Sequence, residues 1–239
     1  MKRSNETIAL FTLAGIATAP GFLDTIRDEL SFLLRARGYT VEADSLYPYG
    51  DWSRRLVPQL YEIFRDLIDV HERFLNSIGV RATRERIFHA AAQSDHVLLV
   101  GHSGGGLTAV QLAGQMIKAG FAPPLVIQIG SPRCPIRREL QDRVLFLSAE
   151  GLETKRKDPV ARLGHWRGWR RGPWKFPQWK RNANAPGTQV VIPLIGGHPD
   201  YFRSYAPYVD EEGDSNLHRT LQPLDSWLTD KLPEQQETP

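Results

Sequence analysis

The stretch VLLVGHSGGGLTAVQLAG, residues 97–114, places a serine between an apolar run and a helix-like segment. Four apolar residues lead into Gly101, and helical sequence begins directly after Ser103. So tight a turn from strand to helix forces its serine into a strained backbone conformation and requires small neighbours, here Gly101 and Gly105. The pattern predicts that Ser103 is a nucleophile, projecting above a sheet at the positive N-terminus of a helix.

Two other interpretations of this turn are a glycine bend that only packs a helix on a strand and a phosphate-binding loop. A phosphate-binding loop would end in Gly-Lys-Ser or Gly-Lys-Thr, which the stretch lacks. His102 cannot easily turn its side chain back onto Ser103, so we interpret it as a packing or pocket-lining residue.

Apolar runs alternate with amphipathic segments along the whole chain. Predicted strands cover residues 7–14, 39–43, 96–100, 125–129, 144–147 and 189–195. Predicted helices cover residues 23–37, 56–78, 83–93, 104–118 and 216–231. This alternation predicts a mainly parallel sheet of about six strands, covered by helices on both faces. We expect residues 1–239 to form one α/β domain with a short polar C-terminal tail.

From about residue 6 to residue 232 the sequence resembles the α/β-hydrolase superfamily. The resemblance rests on VLLVGHSGG, on the order of strands and helices, and on GGHPDYF near the C-terminus. It implies a three-layer α/β-hydrolase fold in a small version that lacks the family's first two antiparallel strands. It also implies the chain order nucleophile, acid, histidine.

A serine hydroxyl needs a base to take its proton, and seven histidines compete for that role. His198 follows the last predicted strand on a loop that contains Gly196, Gly197 and Pro199, where the resemblance places the base. His198 is therefore the predicted base, and His218 in the final helix is the second candidate.

The acid that orients the imidazole is expected after the preceding strand, VLFLS. Glu150 is nearer to the end of that strand, whereas Asp158 begins Asp-Pro-Val, which resembles the loop after the acid in many of these hydrolases. We favour Asp158, although it lies further from the strand than usual. Asp200 is interpreted as a loop-stabilising residue.

Carbonyl chemistry also requires donors aimed at the developing oxyanion. The backbone N–H groups of Gly104 and Ile16 are the predicted donors, since they follow the nucleophile and the first strand. Together these residues predict a serine hydrolase of the esterase or lipase kind, acting on a small-molecule ester. Thioesters and amides would use the same residues, and no metal or organic cofactor is implied.

The composition is that of an ordinary globular protein, with 239 residues of which 41% are hydrophobic. A single cysteine, Cys134, excludes an internal disulfide framework and favours a cytoplasmic location. Residues 1–19 imitate a secretory signal, but we interpret their apolar run as the first buried strand. The sequence has no run of the ~20 apolar residues that span a membrane.

Charge is unevenly distributed, although the net charge is only +3. Residues 133–181 hold 14 Lys or Arg against 5 Asp or Glu, a difference of +9, which leaves −6 for the rest of the chain. Such segregation indicates an anionic partner or substrate for one face. The alternative to an enzyme is therefore a non-catalytic hydrolase-like protein that binds an acidic partner.

A basic, tryptophan-rich insertion is predicted at about residues 150–188. Its centre, residues 159–181, holds seven Lys or Arg, no acid and four of the six tryptophans. The tryptophans could pack the segment onto the protein, line the substrate pocket, touch a membrane or stack on nucleic acid. Pro173 and Pro177 interrupt any continuous amphipathic helix, so we do not expect membrane contact. Nucleic-acid binding is not expected either.

Overall fold

A computed structural model of the chain describes residues 5–50, 53, 77–171 and 176–235. The strands are β1 (Thr7–Leu13), β2 (Thr40–Leu46), β3 (His96–His102), β4 (Leu125–Ile129), β5 (Val144–Gly151), β6 (Gly168–Arg171), β7 (Pro177–Lys180) and β8 (Thr188–Leu194). Six of them form one parallel sheet in the order β2-β1-β3-β4-β5-β8. This arrangement confirms the predicted α/β fold with its six-stranded parallel sheet.

Helices cover both faces of the sheet and make the fold three-layered. They are α1 (Asp24–Ala36), α2 (Ile78–Ala91), α3 (Gly104–Lys118) and α4 (Asn216–Lys231). The apolar stripes of α1 and α4 pack on one face, and those of α2 and α3 pack on the other. The central strands bury side chains on both faces, which explains their continuous apolar sequence. Within the described part of the chain, no helix is long and apolar enough to cross a membrane.

The boundary between the two predicted central helices is wrong. The helix predicted over residues 56–78 lies outside the described residues except at its end, and there Ser77 is the N-cap of α2, accepting a hydrogen bond from the Val80 N–H. Gly79 does not separate two helices but lies in the first turn of α2. A Cβ on Gly79 would collide with the Thr108 hydroxyl and the Tyr49 ring, so the lack of a side chain here allows these residues to pack closely against α2.

A short antiparallel hairpin, β6–β7, lies in the insertion between β5 and β8, where the sequence indicated no strand. The two strands have only four residues each, GWRR and PQWK, and each contains a single tryptophan among glycine, proline, basic and polar residues. Such a composition has no apolar face of period two, which is the signal by which a strand is recognised in a sequence.

The turn from β3 into α3 brings three backbone segments into direct contact. A Cβ on Gly105 would fall onto the carbonyl of Leu13 at the end of β1, and one on Gly101 would fall onto the backbone at Gly105. A Cβ on Gly106 would meet the hydroxyl of Ser131, which follows β4. Because these three positions lack a side chain, the N-terminus of α3 can pack directly against the ends of β1 and β4.

We expect Gly105→Ala to lower the free energy of unfolding by about 3 kcal/mol or more, because the added methyl group meets backbone that cannot move aside. Gly114→Ala, further along α3, is the matched control. Its Cβ would meet only the Arg137 side chain at 3.4 Å, so it should raise stability by about 0.5–1 kcal/mol. Urea unfolding followed by circular dichroism measures both. Equal effects of the two variants would contradict the close contact at Gly105.

Candidate active site

Ser103 has the strained backbone that the sequence predicted for it. Its φ of 54° and ψ of −128° lie outside the regions that a non-glycine residue ordinarily adopts. The conformation is held from both sides, because the Ser103 N–H donates to the Ile129 carbonyl at 3.0 Å and the Ser131 hydroxyl donates to the Ser103 carbonyl at 2.5 Å. Surrounding structure thus maintains a conformation that costs on the order of 1–3 kcal/mol.

The loop after β1 lies directly beside the serine hydroxyl. A Cβ on Gly15 would be 2.7 Å from Ser103 Cβ, 3.1 Å from its Oγ and 3.3 Å from the backbone nitrogen of Gly104. The buried Thr18 hydroxyl fixes this loop by donating to the carbonyls of Gly15 and Ile16, at 3.3 and 3.2 Å. The structure therefore brings Ile16 and Gly104, the two predicted oxyanion donors, to the same neighbourhood of Ser103.

His198 lies on a loop that α4 anchors. The buried Asn216 side chain donates to the carbonyls of Ile195 and Asp200, at 2.7 and 2.9 Å, and accepts from the Ile195 N–H at 2.9 Å. Asp200 accepts from the Gly197 N–H at 2.9 Å, which confirms its interpretation as a loop-stabilising residue. These bonds fix the loop on both sides of the histidine.

Asp158 is a buried carboxylate surrounded by donors. One oxygen, Oδ2, accepts from His198 Nδ1 at 2.9 Å and from the Tyr201 hydroxyl at 2.7 Å, while Oδ1 accepts from the Val160 N–H at 2.9 Å. Burial by itself would raise the pKa of Asp158, but the hydrogen bond and charge of His198, with the Tyr201 and Val160 bonds, bring that pKa below its ordinary value. The carboxylate is therefore ionised, and it selects the His198 tautomer that carries its proton on Nδ1.

The unusual distance of Asp158 from its strand is explained by a turn that doubles back. Gly151 donates to the Arg156 carbonyl at 2.8 Å, and the Asp158 N–H returns to the Ala149 carbonyl at 2.9 Å. Asp158 therefore lies beside the end of β5 despite the intervening residues. Glu150 remains within β5, so of the two candidate acids the structure brings Asp158 to the histidine.

His102 lies next to His198 and is surrounded by aromatic rings. Its ring stacks on His198 with 4.9 Å between centroids, and it also contacts the rings of Phe22, Tyr201 and Phe202. His102 Nε2 donates to the His198 carbonyl at 3.2 Å, whereas its buried Nδ1 has no partner among the described residues. Burial, assisted by the charge of His198, lowers the pKa of His102 to about 3, which keeps its ring neutral.

Sequence reasoning missed three residues that build the site. Tyr201 lies within the quoted GGHPDYF but its bond to Asp158 depends on tertiary contact, and nothing in the sequence distinguishes Thr18 or Asn216 from other polar residues. The second candidate base, His218, is not brought to the site. Its side chain is 64% exposed and lies 3.7 Å from Asp214 on the surface.

Comparison with solved structures finds matches of low sequence identity and with TM-scores below 0.5. No protein-family model and no curated protein matches the sequence. The RedJ thioesterase from the prodiginine biosynthetic pathway in Streptomyces coelicolor is 15% identical, with 95% of this chain and 96% of that chain covered and a TM-score of 0.47. An α/β-hydrolase superfamily protein from Enterococcus faecalis is 13% identical, with 96% of this chain and 93% of that chain covered and a TM-score of 0.45.

The buried His102 predicts a specific pH dependence of stability. Its pKa is about 3 in the folded protein, against 6.5 for an exposed histidine, so between these values the unfolded chain binds a proton that the folded chain does not. This stabilising contribution is complete above pH 6.5 and is lost as the pH falls. Between pH 7 and pH 5 the free energy of unfolding of the wild type should therefore fall by about 2 kcal/mol more than that of His102→Gln.

Urea unfolding of both proteins at the two pH values tests this expectation, and above pH 7 the difference between them should be constant. If the free energies of unfolding of the two proteins change equally from pH 7 to pH 5, His102 is protonated as readily in the folded protein as in the unfolded chain.

Proposed function

We propose that this chain is a serine hydrolase that cleaves a carboxylic ester through an acyl-enzyme. The observation that carries the proposal is the 2.9 Å contact between His198 Nδ1 and the buried Asp158 carboxylate, beside a serine held at φ 54°. A neutral imidazole oriented in this way has Nε2 available as a base. A packing turn or a binding surface needs neither the strained serine nor a buried acid paired with histidine.

In the acylation step, Ser103 Oγ attacks the ester carbonyl carbon while His198 Nε2 takes the hydroxyl proton. The resulting imidazolium is stabilised by Asp158, whose carboxylate stays ionised. The carbonyl oxygen becomes an oxyanion, which accepts hydrogen bonds from the Gly104 and Ile16 N–H groups. When the tetrahedral intermediate collapses, His198 returns the proton to the departing alcohol oxygen and the acyl group remains on Ser103.

In the deacylation step, His198 takes a proton from water, whose oxygen attacks the acyl carbon. A second tetrahedral intermediate forms at the same donors, and its collapse releases the carboxylic acid and returns the proton to Ser103 Oγ. The site residues thus perform both halves of the reaction, so water is the only co-reactant required. The same residues would also act on a thioester or an amide, which differ in their leaving group.

The second candidate function is a non-catalytic protein that binds an acidic partner through its basic insertion. The charge distribution of residues 133–181 supports it. Binding would not depend on the serine, so Ser103→Ala would leave the biological activity of such a protein unchanged.

A fluorophosphonate probe tests the proposed nucleophile. We expect the wild type to be labelled, Ser103→Ala to be unlabelled, and His198→Ala to lose at least about a thousandfold in labelling rate and in turnover of p-nitrophenyl esters. His218→Ala is the matched control, since it removes an exposed histidine, and it should behave as the wild type. A folded wild type that neither reacts with the probe nor cleaves any ester would contradict the proposal.

A pair of isosteric variants tests the acid. Asp158→Asn should lower kcat by about four orders of magnitude, because the amide no longer selects the required histidine tautomer. Glu150→Gln, which removes the same charge from β5, should leave kcat close to that of the wild type. The reverse order of the two effects would assign the acid to Glu150, and circular dichroism checks that both variants are folded.

A further inference from the structure

The hairpin β6–β7 presents a pair of exposed tryptophans. Trp169 on β6 lies directly opposite Trp179 on β7, and their rings contact edge to face with 5.4 Å between centroids. Trp169 is 66% exposed and Trp179 is 52% exposed, and Phe176 just before β7 is 71% exposed. Exposed aromatic residues gathered in this way on a protein surface mark an interaction site.

The opposite face of the hairpin is fixed to the protein. The Arg170 guanidinium donates to the Ala183 carbonyl and to the Gln141 side chain, and a Cβ on Gly168 would fall onto Asn184. Because side chains alternate between the faces of a strand, this attachment turns Trp169 outward. The tryptophan pair therefore faces outward from a strand that is anchored to the protein.

The basic residues around the pair are not balanced by acids. Arg167 and Arg181 stand two residues before Trp169 and two residues after Trp179, and both are exposed, as is Lys180. Residues 159–181 contain no Asp or Glu. An exposed aromatic pair next to unbalanced positive charge matches the interfacial region of an anionic bilayer, where tryptophan lies at the headgroup level.

The hairpin is separate from the candidate active site. Gln141, which Arg170 contacts, precedes β5 at the amino end of the sheet, whereas Ser103, Asp158 and His198 all lie at the carboxyl ends of their strands. The interpretation of this part of the insertion as a wall of the substrate pocket is therefore not supported.

We propose that the tryptophan pair Trp169–Trp179, with Phe176 and the neighbouring Arg167, Lys180 and Arg181, docks the protein on an anionic lipid surface. The sequence argument against membrane contact depends on the absence of a continuous amphipathic helix. A hairpin anchored to the protein supplies the same combination of apolar and basic side chains without a helix. The inference does not depend on the proposed hydrolase function.

Lipid is a better occupant of this surface than single-stranded nucleic acid. The two indoles contact each other edge to face at 67°, so they form a ridge rather than parallel platforms on which successive bases stack. The exposed Phe176 adds apolar area that insertion into a bilayer uses and that a phosphate backbone does not.

Co-sedimentation with vesicles tests the proposal. We expect the wild type to bind vesicles of phosphatidylglycerol and phosphatidylcholine in equal parts, and to bind pure phosphatidylcholine at least tenfold more weakly. Trp169→Ser/Trp179→Ser should weaken binding to the anionic vesicles by at least tenfold, and Arg167→Gln/Arg181→Gln should do so by roughly 25-fold, at about fivefold for each charge.

The controls are chosen to match each variant. Phe32→Ser removes an apolar side chain of α1 that is 67% exposed, and Arg81→Gln/Arg84→Gln removes two exposed charges of α2. Both should bind as the wild type does. Ser103→Ala should also bind as the wild type does, which separates this inference from the proposed function.

Three results would overturn the inference. The first is a folded wild type that does not bind the anionic vesicles, and the second is binding that the tryptophan and arginine variants leave unchanged. The third is tryptophan-dependent binding of an oligo-dT strand, or tryptophan-dependent dimerisation in analytical ultracentrifugation, without binding to vesicles.

Discussion

The close approach of α3 to the ends of β1 and β4 is the constraint from which the candidate site follows. Because β3 enters α3 without a loop, Ser103 is forced to φ 54° and the first turn of α3 is pressed onto the carbonyl of Leu13. The same contact leaves Gly15 next to the serine hydroxyl, so the proposed nucleophile and the loop of the proposed oxyanion donors are positioned together. In a parallel sheet the carboxyl ends of all strands share one edge, which brings the loops after β5 and β8 to the same place.

Burial favours the neutral form of all three ionisable groups behind the serine, although it lowers the pKa of the histidine and raises the pKa of the two acids. It keeps His102 neutral by lowering its pKa to about 3, and it would keep Asp158 neutral too without the donors that surround the carboxylate. The Tyr201 hydroxyl stays protonated because burial, with the charge of Asp158, raises its pKa. Of these three groups, therefore, Asp158 alone is charged, and it lies beside His198, where the proposed mechanism develops a positive charge. This arrangement is prepared before any substrate binds, which is the condition for electrostatic stabilisation of a transition state.

Sequence patterns predicted the elements whose apolar residues recur regularly, and missed contacts that only the folded chain creates. The strand over residues 125–129 and the helix over residues 216–231 were predicted with the observed bounds, because the strand is a mainly apolar run between Pro124 and Gly130 and the leucines of the helix recur at helical spacing. Tyr201 and Thr18 contribute through partners distant in sequence, so no local pattern reveals them. The hairpin was missed because its short strands lack apolar alternation, and most of the helix predicted over residues 56–78 lies outside the described residues.

The connection from β5 to β8 contains both Asp158 and the tryptophan hairpin β6–β7. A crossover between parallel strands is usually a helix, but here Trp166 covers the sheet by packing on Phe146, with the Arg133 guanidinium over its indole. Arg133 Nε also donates to the Ala161 carbonyl, next to the backbone that binds Asp158. Asp158 therefore lies near the start of this connection and the tryptophan hairpin lies further along it. The buried contact between Trp166 and Phe146 stands between them. Since the contact of Trp166 with Phe146 and Arg133 lies between them, we expect substitutions on the outer face of the hairpin to leave Asp158 in place, which makes the two proposed roles experimentally separable.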